Sequence, residues 1–117
     1  MPEDKAYALA RCIAEHALTK KAQNVCLLDL RGISSFADFF VICHGESNLQ
    51  VKGIADAIQD GMAKNGIKAW HREGHDRVHW VLLDYVDVVV HVFLEETRAF
   101  YGLERLWGDS KIETITD

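Results

Sequence analysis

Proline is nearly absent from this chain, with one residue in 117, and glycine numbers only eight. Collagen-like and proline-rich disordered classes are thereby excluded, and little in the sequence interrupts regular elements. Long apolar runs are missing too: none approaches the roughly twenty residues that a membrane-spanning helix requires. The three cysteines, Cys12, Cys26 and Cys43, are odd in number, well separated and set in apolar sequence. That pattern argues against a disulfide framework and for buried free thiols in a reducing compartment. The opening stretch MPEDKAYALA lacks the charged-then-apolar pattern of a secretory signal, so the expected location is cytoplasmic. A dense basic cluster is also lacking, since the sequence offers only the pair Lys20 and Lys21 and isolated arginines. Bare nucleic acid is therefore not the expected partner.

What the chain does have is the composition of one globular domain, 49% hydrophobic and 26% charged. The net charge of −5 is unevenly spread. Residues 1–83 hold ten basic and ten acidic side chains, whereas 84–117 hold three basic and eight acidic. The acidic C-terminal third favours a basic protein partner.

Apolar residues at Ala6, Leu9, Ala10, Ile13, Ala14, Ala17 and Leu18 follow the spacing of an amphipathic helix over about Asp4 to Lys21, with Asp4 as its cap. VCLLDL at 25–30 and DFFVICH at 38–44 read as strands. A second helix is expected from Ser47 or Asn48 to Lys64, with Gly66 beyond its end. Strands follow at about 67–72, 79–84 and 87–93, the last two joined by a tight hairpin at Tyr85-Val86. Beyond Leu94, Gly102 divides two short helical pieces, and 110–117 read as a frayed polar tail. The expected fold is α/β: one domain over 1–109, a single mixed five-stranded sheet flanked by helices, in the order αββαβββα.

Three sets of residues offer chemistry. His71, Glu73, His75, Asp76 and His79 have the residue types of a zinc site, but Gly74 breaks the run, and a polar strand–turn–strand surface accounts for them without a metal. Gly45-Glu46-Ser47, between a strand and a helix, could hold a phosphate as nucleotidyltransferases do. Asp84 and Asp87 are the carboxylates such an enzyme would need for Mg²⁺. They lie three apart across the hairpin link, Glu46 adds an opposing charge, and a structural turn with a helix cap suits the segment better. A nucleophile could be sought in Ser34, Ser35 or Cys43 with His44. Cys43 and His44 are strand neighbours pointing to opposite faces, which suits a core thiol beside a surface histidine. No catalytic residue, metal or cofactor is expected.

The last hairpin is unusually rich in aromatic and polar groups: Trp70, His71, Trp80, Asp84, Tyr85, Asp87 and His91. If Val81 and Leu83 face the core, Trp80, Leu82 and Asp84 alternate onto the other face. Tryptophan and tyrosine ringed by carboxylates have the composition of a protein interface, with Trp80 and Tyr85 as exposed anchors. Equally open at this point is a helix covering that face and making the tryptophans core.

The segment WVLLDYVDVVVHVFLEETRAFYGLERLWGD at 80–109 resembles the signature block of the ribosomal silencing factor (Iojap-like) family. Asp29-Leu30-Arg31, SSFADFFVICHGES at 34–47 and Arg72-Glu73-Gly74 fall in the same family's order and spacing. The resemblance implies a nucleotidyltransferase-like fold without a working active site. It also implies a translation repressor, not an enzyme, that binds the large ribosomal subunit through its ribosomal protein fourteen. Occupying that face blocks joining of the small subunit when nutrients are scarce. Carried over by motif position, the partner surface comprises Trp80, Leu82, Asp84, Tyr85 and Asp87, with His91 and Glu95 on its flank. Val86 departs from the glycine usual at that turn. Two other readings stand beside this one: a nucleotide-binding enzyme, and a homodimer through the same hairpin or an exposed strand edge.

Overall fold

A computed structural model of the chain describes residues 4–74 and 79–116. Asp4 caps the first helix, α1 (Lys5–Leu18), by accepting the Tyr7 amide at 3.0 Å. The helix ends at Leu18 and does not run on to Lys21, whose left-handed backbone (φ 59°) is incompatible with continuing it. Two antiparallel strands follow, β1 (Gln23–Asp29) and β2 (Phe39–Gly45). Helix α2 (Asn48–Lys64) then carries the chain across the sheet to β3 (His71–Glu73), β4 (Trp80–Asp84) and β5 (Val88–Leu94). Two short helices, α3 (Glu95–Tyr101) and α4 (Leu103–Leu106), meet at Gly102, whose φ of 57° lets the first end and the second begin.

The mixed α/β sheet has six strands and not the expected five, in the order β3-β4-β5-β2-β1-β6. β2 and β5 run parallel and the other pairs antiparallel. The sixth strand, β6 (Lys111–Thr114), replaces the frayed tail expected at 110–117 and extends the edge beside β1. Its side chains are all exposed, so it carries no hydrophobic periodicity. Backbone pairing holds it, together with Glu113, which accepts the Tyr7 hydroxyl at 2.8 Å and pairs with Arg11 at 3.2 Å on α1.

Helices α1 and α2 both pack on one face of the sheet. Ile13, Ala14, Ala17, Ile54, Ile58 and Met62 from the helices meet Val41, Val81, Leu83, Val90 and Val92 from the strands in one buried cluster. Each Val, Ile or Leu so enclosed contributes about 2 kcal/mol relative to exposure. Because strand side chains alternate, the same strands send Trp80, Leu82, Asp84, His91 and Phe93 to the opposite, outer face.

The β4–β5 turn is as tight as the sequence suggests. The Tyr85 amide donates to the Val88 carbonyl at 2.8 Å, and the Val86 amide donates to Asp84 Oδ1 at 2.7 Å. Val86 takes φ 74°, a left-handed conformation that a β-branched residue adopts only under strain. Its side chain is exposed and anchors nothing in the core. Val86→Gly is expected to raise stability by about 1 kcal/mol, the relief of strain outweighing glycine's added chain entropy. Thermal unfolding should show a midpoint a few degrees higher, and an unchanged or lower midpoint would mean that the turn is not strained.

Candidate functional site

The outer face is built from alternate residues of four neighbouring strands: Trp80, Leu82 and Asp84 on β4, Val89, His91 and Phe93 on β5, Phe40, Ile42 and His44 on β2, and Cys26 and Leu28 on β1. Leu103 packs with Cys26, Leu28, Leu30, Ile42 and Phe93 in a second, smaller core. α3 and α4 thus cover one end of the face. Leu82, Asp84, Val89, Phe40 and Trp80 remain half-exposed, so the two open readings of the hairpin resolve into a partly roofed apolar surface. The roof itself is apolar outside, with Phe100 79% and Leu106 71% exposed. An apolar surface continued from sheet to helices is the form of a docking site.

At its centre stands His91. The Trp80 indole donates to His91 Nδ1 at 3.1 Å, which requires that nitrogen to be an unprotonated acceptor. Phe40 meets the imidazole edge-on at 4.5 Å between ring centres, and Phe93 stacks at 6.1 Å. Trp80 also packs on Phe93 and Tyr101, at 4.9 and 4.7 Å. Burial in this aromatic nest pushes the His91 pKa down to about 4. The neutral imidazole fixes the indole plane, and the indole is the largest ring on the open part of the face.

Arg98 holds the roof. Its guanidinium donates to Glu104 Oε1 (3.3 Å), the Gln23 carbonyl (3.3 Å) and His44 Nδ1 (3.0 Å), and lies 3.6 Å from Cys26 Sγ. One cation thereby ties α3 to α4, β1 and β2. Burial and the Arg98 charge both lower the His44 pKa, so this imidazole is also held neutral.

The residues singled out from sequence separate into groups. Trp80, Leu82 and Asp84 share the outer face, with Asp84 spending one carboxylate oxygen on the turn. Asp87 is exposed at the turn, where its carbonyl accepts the Asp38 and Phe39 amides and pins the 30–38 loop beside the hairpin. Glu95 is exposed at the start of α3, 3.6 Å from His44 Nε2. His91 lies beneath the surface, only 4% exposed, and acts on it through Trp80. Tyr85 corrects the expectation of an exposed anchor: it is 7% exposed and belongs to the core under α1 and α2. The turn begins at Tyr85, so the strict alternation of β4 no longer governs where it points. Phe40, Val89, Tyr101 and Arg98 went unnamed from sequence. Two-residue alternation from Ile42 and His91 would have placed Phe40 and Val89 on this face, whereas Arg98 has no local signal.

The other candidates resolve differently. At Gly45-Glu46-Ser47 the Ser47 hydroxyl accepts the Gln50 amide at 3.1 Å, and Gln50 Oε1 accepts the Glu46 amide at 2.8 Å. Two of the amides that could face a phosphate, those of Glu46 and Gln50, are thus engaged in a capping arrangement. Asp84 and Asp87 sit on either side of the turn and, among the described residues, belong to no group of three or more potential metal ligands. His71 pairs with Glu73 at 3.1 Å, and His75 and Asp76 lie outside the described residues. Cys43 is buried among α1 and α2, its thiol pKa pushed up to about 12 by burial. His44 faces the other way as expected, but α3 buries it, so it is not a surface histidine. Ser34 Oγ accepts the Phe36 amide at 3.0 Å, a local turn contact. Cys26 is a second buried free thiol, whereas Cys12 is partly exposed.

Comparison with known proteins bears on the chain as a whole. The family model described as "Ribosomal silencing factor during starvation" matches residues 3–117. The ribosomal silencing factor RsfS of Bacillus subtilis is 50% identical over 96 residues, covering 82% of this chain and 81% of the relative. A crystal structure of a Chromobacterium violaceum protein superposes with a TM-score of 0.85 at 32% identity, over 95% of this chain and 92% of that one. A Bacillus halodurans crystal structure gives 0.77 at 39% identity, over 98% and 100%.

The buried imidazole makes stability depend on acid. With a folded pKa of about 4 against an ordinary 6.5, His91 takes up its proton first in the unfolded chain. Its contribution is complete above pH 6.5 and is lost as pH falls toward 4, about 2 kcal/mol between pH 7 and pH 5. Urea unfolding at the two pH values should show this loss in the native protein and a smaller one in His91→Gln. Equal losses in both would place the acid sensitivity elsewhere.

Proposed function

The chain belongs to the ribosomal silencing factor family, and on that premise we propose that it represses translation by binding the large ribosomal subunit through that subunit's ribosomal protein fourteen. The site is the outer face of the β4–β5 hairpin. Bound there, the protein occupies the surface that the small subunit must reach, and joining fails for lack of space. No reaction is catalysed; the effect is steric. The repression acts under nutrient limitation, in the cytoplasm where ribosomes work.

The observation that carries this reading is the half-exposed apolar strip of Trp80, Leu82, Phe40 and Val89, bordered by Asp84, Asp87 and Glu95. Apolar contacts buried at the centre of an interface supply most of its affinity, and the acidic border speeds encounter with a basic ribosomal protein. Because the neutral His91 holds the Trp80 ring in place, little side-chain freedom is lost when a partner arrives. A second copy of the chain could use the same strip, and a homodimer formed there would compete with the ribosome.

Co-sedimentation with purified large subunits, without added nucleotide, tests the reading. The native protein should pellet with the subunits. Trp80→Ala and Leu82→Arg, each first shown to be folded by circular dichroism, should bind more weakly by roughly 2 kcal/mol, about thirtyfold in affinity. A folded Leu82→Arg protein that binds undiminished would remove the hairpin face from the interface.

A further inference from the structure

On the other side of the hairpin turn, between the C-terminal half of α2 and the segment entering β3, lies a cavity of about 520 Å³ lined by residues that the outer face does not use. We propose that it binds a mononucleotide, with the base stacked on Trp70 and the phosphate held by Lys68 and Arg72. The volume falls within the range of small-molecule sites.

Trp70 is 76% exposed at the wall of this cavity, with its backbone fixed by a hydrogen bond that its amide donates to the Asp84 carbonyl at 2.7 Å. A large aromatic ring left in water and packed into neither core is a platform for a flat ligand. Two cations share the lining with it. Arg72 is oriented by donating to Gln59 Oε1 at 2.9 Å, and Lys68 is exposed on the approach to β3. Both can receive a phosphate.

The remaining polar groups narrow the class of ligand. Asp60 on α2 accepts hydrogen bonds and selects for a molecule that carries N–H or O–H donors as well as its phosphate, as ribose hydroxyls and base amino groups do. Tyr85 contributes to the wall and is nearly buried, and its hydroxyl has no hydrogen-bond partner among the described residues. A buried hydroxyl left unpaired calls for a polar group from a ligand or water at that depth. Two cations and one ring suit a single nucleotide better than a strand, whose binding relies on many phosphate contacts.

This site is independent of ribosome binding, and its test needs no ribosome. Isothermal titration calorimetry of the full chain with AMP and with GMP should show binding. Adenosine, which lacks the phosphate, and inorganic phosphate, which lacks the ring, should each bind at least about tenfold more weakly. Trp70→Ala and Lys68→Ala remove exposed side chains and should leave the circular dichroism spectrum intact while weakening nucleotide binding roughly tenfold. Any of four results would overturn the proposal: no binding of either nucleotide at millimolar concentration, equal affinity for phosphate alone, unchanged affinity in folded Trp70→Ala, or tighter binding of an oligonucleotide than of the mononucleotide.

Discussion

A sheet has two faces, and the two long helices of this chain both pack on the same one. Among the described residues the opposite face receives only the helices α3 and α4, fewer residues together than α2 alone, and they roof one end of it. Everything distinctive about the molecule depends on that imbalance. Alternation along β4 and β5 sends an apolar set to each face, but helices enclose only the first set fully. The rest must meet water or a partner.

The half-covered face is nonetheless rigid, for reasons that differ from those of the main core. Aliphatic packing holds the covered side. On the outer side a buried neutral imidazole accepts the Trp80 indole N–H and sits among Phe40, Phe93 and the indole itself. Arg98 fixes the roof by donating to groups from α4, β1 and β2. A surface preorganised in this way loses little conformational entropy on binding, which suits the proposed docking role.

Much of this was legible in the sequence because it is local. Helical spacing, the Asp4 and Ser47 caps, the succession of elements along the chain up to β5 and the tight turn at Val86 all follow from residues close along the chain, whereas β3 is confined to His71–Glu73 and not the expected 67–72, and the order of strands across the sheet has no local signal. The alternation of Trp80, Leu82 and Asp84 away from Val81 and Leu83 does too. What was not legible depends on distant partners. β6 is a polar segment made into a strand by pairing with β1. Tyr85 turns inward where β4 ends and the hairpin bends, and His44 is buried by a helix some fifty residues later in the chain. The role of Arg98 is likewise invisible, since its partners are brought together only by the fold. The family resemblance supplied the functional direction that physical reading alone could not, and the comparisons with known proteins bear out the family itself.

The most direct test of the central proposal is a photo-cross-link from the sheet's outer face. A photoreactive side chain at Leu82, mixed with purified large subunits, should join the protein to ribosomal protein fourteen, while the same group at Asp56 on α2 should not. Cross-linking from Asp56 with none from Leu82 would mean that the helical side meets the ribosome and that the open sheet face serves another purpose.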